Sequence, residues 1–177
     1  MICVLMGVSG SGKSTIGRSL SERLGWPFYD GDDFHPAGNI EKMRAGIPLT
    51  DADRLPWLTL LRNAIHEIDG NAIFACSALK QSYREFLGEG VPDLVWVYLK
   101  GDRALLRRRM ETRIGHFMKP EMSRSQWSTL EEPTDALIVE IDRRPAEIVA
   151  EIVAFLQDLK SGSERPRLEK PGLPLTS

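Results

Sequence analysis

The chain is poor in cysteine, in net charge and in long apolar runs, and each shortage removes a class of protein. Only two cysteines occur, Cys3 and Cys76, far apart and each inside a strand-like apolar run. With no second thiol or close histidine beside either, neither a disulfide framework nor a thiolate metal site is expected, and both read as buried, reduced thiols. The formal net charge is only −2, without the basic excess that a polyanion-binding surface needs, so nucleic acid is not an expected partner. No stretch reaches the roughly 18 apolar residues of a membrane span, and Met1–Met6 is too short and lacks the basic flank of a signal peptide. A cytoplasmic location is therefore the expectation, with no membrane partner.

What the chain does have is alternation. Its 177 residues, 42% hydrophobic, suit one compact core. Ile2–Met6 is a fully apolar run ending at glycine, as in a strand buried on both faces. Strands are expected again near 27–30, 72–77, 94–99 and 137–141, interleaved with helices near 13–24, 53–69, 79–88, 102–113 and 145–160. Ile16, Leu20 and Leu24 mark the first helical stripe, and Ile148, Val149, Ile152, Val153, Leu156 and Leu159 the last. Strand alternating with helix predicts an α/β fold, a parallel sheet of about five strands flanked by helices. Two segments, about 33–53 and 114–133, break the alternation, and insertions at strand ends usually carry function. Residues 1–160 read as one domain, and the Pro- and Gly-punctuated stretch 161–177 as a disordered tail.

The first strand runs into Gly7-Val8-Ser9-Gly10-Ser11-Gly12-Lys13-Ser14 and then a helix, which is the P-loop pattern in its required context. Glycines let backbone N–H groups wrap phosphates, the helix terminus adds positive potential, Lys13 reaches the β/γ-phosphates, and Ser14 offers a Mg²⁺ ligand with Thr15 beside it. ATP and Mg²⁺ are the implied cofactors. After the second strand, Asp30, Asp32 and Asp33 crowd together with His35. Like charges so close call for a cation or substrate hydroxyls, with Asp30 toward metal-bound water and Asp32 toward the acceptor proton; Asp33 alone suits a solvated turn. After the third, Lys80 and Arg84 stand one helical turn apart, either for an acidic ligand or as a solubilising surface pair, and Arg54 adds a further cation. Arg109 and Arg113 lead into Gly115-His116-Phe117, where a mobile cover over a phosphoryl-transfer site would attach.

In this order the segments resemble the bacterial-type gluconokinase family, related in fold to shikimate and nucleoside monophosphate kinases. The resemblance runs from Ile2 to about Leu159. Besides the P-loop and Asp30–Asp32 it rests on His35-Pro36, Asn39–Met43, Pro48-Leu49, Asp51, Asp53-Arg54, Pro56-Trp57, Cys76–Lys80, Tyr98–Asp102, Gly115–Phe117 and Leu130–Pro133. It implies a P-loop NTPase fold, phosphorylation of D-gluconate to 6-phospho-D-gluconate, a substrate-binding insertion, an ATP lid and a homodimer. It further implies that Asp32, His35, Arg54, Lys80 and Arg84 surround the substrate, that Arg109 lies against adenine, and that Arg113 with His116 serves the phosphates. The rivals are a kinase of the same fold acting on another acceptor, a GTP-hydrolysing switch, and an inactive binding module. The switch lacks an Asn-Lys-x-Asp stretch, and the inactive module is at odds with Lys13 and Asp32.

Overall fold

A computed structural model describes residues 1–111 and 120–162, giving only the backbone of 111 and 120–124. Five strands, β1 (Ile2–Met6), β2 (Phe28–Asp30), β3 (Ala72–Ala75), β4 (Leu94–Lys100) and β5 (Leu137–Glu140), form one sheet in the order β2-β3-β1-β4-β5. Every neighbouring pair is parallel. Around it lie α1 (Lys13–Leu24), α2 (Ala37–Ala45), α3 (Asp51–His66), α4 (Gln81–Gly88), α5 (Arg103–Glu111), α6 (Pro120–Thr129) and α7 (Pro145–Lys160).

Alternation along β1 builds two cores. Cys3 and Leu5 join Ile16 and Leu20 of α1 and Ile148, Ile152 and Leu156 of α7 on one face. Ile2, Val4 and Met6 join Trp57, Leu58, Leu61 and Ile65 of α3 and Tyr83 and Leu87 of α4 on the other. The crossovers run from β1 outward to β2 on one side and from β3 past β1 to β4 on the other, so the chain reverses its winding direction beside β1, and the carboxyl end of that strand is the usual ligand position in such sheets. Both cysteines are buried free thiols, and burial pushes each up to about 12.

The expected α1 and α7 match the observed helices to the residue, and the remaining elements differ mainly at their ends. The helix expected near 53–69 spans Asp51–His66, because Thr50 caps it: Thr50 Oγ1 accepts from Asp53 N–H while Asp53 Oδ2 accepts from Thr50 N–H. The strand expected over 72–77 ends at Ala75. Within the first insertion the chain forms a 3-10 turn, Gly31–Phe34, and α2, which closes on Gly46 at φ 78°. The second insertion contains α6; its residues 114–119, with Arg113, lie outside the described residues, as do 163–177 of the expected tail. Beyond α6, Glu131 takes the Gln81 N–H at the start of α4 and Glu132 pairs with Lys100 at 2.9 Å.

Candidate active site

The loop after β1 curls because glycine allows it. Gly7 has φ 141°, and a Cβ there would sit 2.9 Å from the Leu99 carbonyl; Gly12, at φ 95°, is the left-handed residue that starts α1. Lys13 folds back over the loop, its Nζ donating to the carbonyls of Gly7 at 2.9 Å and Val8 at 3.3 Å. Ser11 Oγ is buried inside the curl with no partner among the described residues. Below the loop, Ser14 Oγ donates to Asp30 Oδ2 at 2.6 Å, while Asp30 Oδ1 accepts from the Asp32 N–H at 3.2 Å. A hydroxyl and a carboxylate from different strand ends are thus brought together in a pair of hard oxygen donors.

The acidic turn is held from beneath. Trp57 Nε1 donates to the Gly31 carbonyl at 2.7 Å, and His35 stacks on the Trp57 ring at 4.3 Å between centroids. A side chain at Gly31 would collide with the Ala75 carbonyl, 2.4 Å from the Cβ position. Asn39 joins α2 to this unit, donating to the Asp53 carbonyl at 2.8 Å and lying 3.4 Å from His35 Nδ1. Burial holds the His35 imidazole below its ordinary range, against an opposing pull from Asp32, so the ring is neutral at pH 7.

Asp30, Asp32, Asp33 and residues Ser9–Thr15 line one cavity of about 850 Å³. Ile40, Met43 and Arg44 of α2 wall one side, and Arg109, Met110, Arg143, Pro145 and Ile148 the other. Arg109 is anchored there through a 2.7 Å bond to the Ile141 carbonyl. Thr15 is exposed on the cavity wall.

The expected cations separate into two environments. Lys80 and Arg54 converge on Asp51, a residue that the family resemblance includes but to which the sequence assigns no role. Lys80 Nζ is 2.6 Å from Asp51 Oδ2, Tyr83 Oη donates to Oδ1 at 2.5 Å, and Arg54 Nη1 stands 3.6 Å from Oδ1 and 3.4 Å from the Tyr83 hydroxyl. The Lys80 bond holds the Asp51 carboxyl below the usual range, and the same bond raises Lys80. Asp51 escapes a sequence reading because its helical spacing to Arg54 looks like an ordinary surface pair. Arg84, by contrast, is not the surface residue that one reading allowed: it is 6% exposed and donates to the Ala78 carbonyl at 3.0 Å. Ala78 has φ 43°, in the left-handed region, so the guanidinium clasps a strained turn from inside. Burial pushes Arg84 down from its ordinary value, and Asp135, Glu131 and Glu85 counter that. Arg113 and His116 lie outside the described residues.

The model of the family described as Shikimate kinase matches residues 9–157. A thermoresistant gluconokinase of Escherichia coli is 44% identical over 163 residues, covering 88% of this chain and 93% of that protein. The crystal structure of a gluconokinase from Sinorhizobium meliloti superposes with a TM-score of 0.81 at 41% identity, covering 92% of this chain and 97% of that one. A shikimate kinase from Aquifex aeolicus shares the fold at a TM-score of 0.56 and 23% identity, over 92% of this chain and all of its own length, 100%.

Proposed function

Because the chain belongs to the gluconokinase family of P-loop kinases, on the fold it shares with shikimate kinases, we propose that it transfers the γ-phosphoryl group of ATP to D-gluconate, giving 6-phospho-D-gluconate and ADP. The observation that carries the reading is the cavity that the P-loop and Asp32 line together, bringing a phosphate cradle and a candidate proton acceptor to the same space.

Each residue then has a task. Backbone N–H groups of Gly10 and Gly12–Ser14 hold the phosphates, and the buried Ser11 hydroxyl, unpartnered among the described residues, fits a loop shaped for an anion. Lys13 neutralises phosphate charge. Mg²⁺ fits the Ser14–Asp30 oxygen pair, since this ion takes few protein ligands and completes its shell with water and phosphate. When bound, it neutralises the phosphates and orients them. Arg109, fixed at the cavity wall beside Met110 and Ile148, serves the purine end, and Arg113 and His116 would act on the phosphates. Asp32 takes the acceptor hydroxyl proton.

Asp51 holds Lys80 and Arg54 as a cluster with one net positive charge, the sum of two cations and one carboxylate. This matches the single carboxylate of gluconate. His35, neutral and braced by Trp57, offers a hydrogen bond to a polyol, and Arg84 holds the turn that presents Lys80. By the same family resemblance the enzyme is a homodimer. A cytoplasmic location agrees with its two free thiols.

The test is an ADP-release assay over gluconate, glucose, shikimate and nucleoside monophosphates, with and without a chelator. Turnover is expected with gluconate and to vanish on Mg²⁺ removal; preferential turnover of shikimate or a nucleotide overturns the acceptor.

A further inference from the structure

The last turn of α6 reaches the phosphate loop. Gln126 Oε1 accepts a 2.7 Å hydrogen bond from the backbone N–H of Ser9, a contact spanning 117 positions in sequence. The chain that follows is fastened at several points. Leu130 N–H donates to the Gln126 carbonyl at 3.0 Å, Glu131 N–H donates to the Leu79 carbonyl at 2.8 Å, and Gln81 N–H donates to Glu131 Oε2 at 2.6 Å. Gln126 is therefore delivered to the P-loop by a helix end tied to the turn that carries Lys80. Ser9 itself lines the cavity with Gly10–Thr15.

The chemistry of a carboxamide gives this contact a second side. A backbone N–H can only donate, so the amide must face it with oxygen. The group then left for an anion arriving at the loop is the NH₂, which carries two protons. An anchor for α6 needs only the oxygen, and glutamate would provide that equally well. A donor to phosphate needs the nitrogen, and a glutamate there would repel it.

We propose that Gln126 is a further catalytic residue, donating from its carboxamide NH₂ to the terminal phosphoryl group of the nucleoside triphosphate while Ser9 holds it through Oε1. It moves no proton; it stabilises negative charge on the group being transferred. The assignment rests on the kinase reading above, and only on its nucleotide half.

Calorimetric titration of Mg·ATP and Mg·ADP into wild type, Gln126→Ala and Gln126→Glu tests it without any acceptor present. Loss of one hydrogen bond to a charged group corresponds to a change of about tenfold or more. Gln126→Ala is expected to lose about that much affinity for ATP and roughly twofold or less for ADP, which lacks the contacted group. Gln126→Glu, which keeps an oxygen for Ser9 and matches the size of the native side chain, is expected to bind ATP more weakly still. ATP binding by Gln126→Glu at the wild-type level would overturn the proposal and leave an anchor; so would equal losses for ATP and ADP. Should Gln126→Ala misfold, Gln126→Glu alone decides. A wrong acceptor assignment would appear separately, as absence of gluconate turnover in wild type whose ATP affinity still depends on Gln126.

Discussion

At the scale of single residues, the pair most directly tied to chemistry is Ser14 with Asp30, 2.6 Å apart. Each is legible in sequence as a candidate Mg²⁺ ligand, Ser14 from the P-loop and Asp30 from the end of the second strand, but their direct contact is made by the fold, which inserts β3 between β1 and β2. Lys13→Ala removes a charge that neutralises phosphate and is expected to lower turnover roughly 10²-fold with little change in melting temperature. Steady-state kinetics on the folded variant checks this, and near-normal turnover would reject it. Asp32→Asn is expected to cost about 10²–10⁴-fold in rate while ATP still binds; the dissociative character of phosphoryl transfer puts the effect toward the lower end. An unchanged rate would show that Asp32 neither takes the proton nor holds the acceptor. Arg84 teaches the opposite lesson. Its spacing from Lys80 leaves both a ligand and a surface charge open, and the structure excludes the second by burying the guanidinium against the Ala78 carbonyl. Arg84→Ala leaves the Ala78 carbonyl without its donor and is expected to cost about 1–3 kcal/mol, read from urea midpoints. A loss of activity with unchanged stability would instead make Arg84 a substrate ligand.

At the scale of elements, strong periodicity translated well: α7 runs from Pro145 to Lys160 with its apolar stripe buried. α2 was not legible, since Ile40 and Met43 are its only large apolar residues and Asn39 is the residue it buries. It is held by polar ties to α3, Asn39 to the Asp53 carbonyl and Lys42 to the Asp53 carboxylate at 2.6 Å. Asp53 therefore serves both helices. Its bonds from Lys42 and Thr50 depress its carboxyl to about 2, below an unfolded value of about 3.9. A depressed carboxylate stabilises the fold above the unfolded value and loses that contribution as pH falls through the folded one. The stability difference between wild type and Asp53→Asn is thus expected to be full at neutral pH and to shrink as pH drops from about 4 toward about 2. Urea denaturation at stepped pH reads it, and a difference independent of pH would contradict it. Thr50→Ala, which removes one half of the capping box, is expected to cost about 1 kcal/mol.

At the scale of the whole molecule, the sheet brings the loop after β1 and the turn after β2 to one cavity, and the two cores on either side of β1 hold the sheet in place. Fold class and the phosphate end of the site followed from alternation and the P-loop alone. The cluster proposed to receive the acceptor did not, because its contacts join α3 to the β3–α4 turn across 29 positions between Asp51 and Lys80, a pairing that only tertiary structure creates. The measurement that bears most directly on the account is kcat/KM for gluconate against glucose. Glucose brings no carboxylate to the net positive charge that Lys80, Arg54 and Asp51 carry together, and losing a hydrogen bond to a charged group costs about 2 kcal/mol. Gluconate is expected to exceed glucose by at least roughly 30-fold, and Lys80→Ala is expected to narrow that margin. Comparable kcat/KM for the two sugars in the wild-type enzyme would contradict the account.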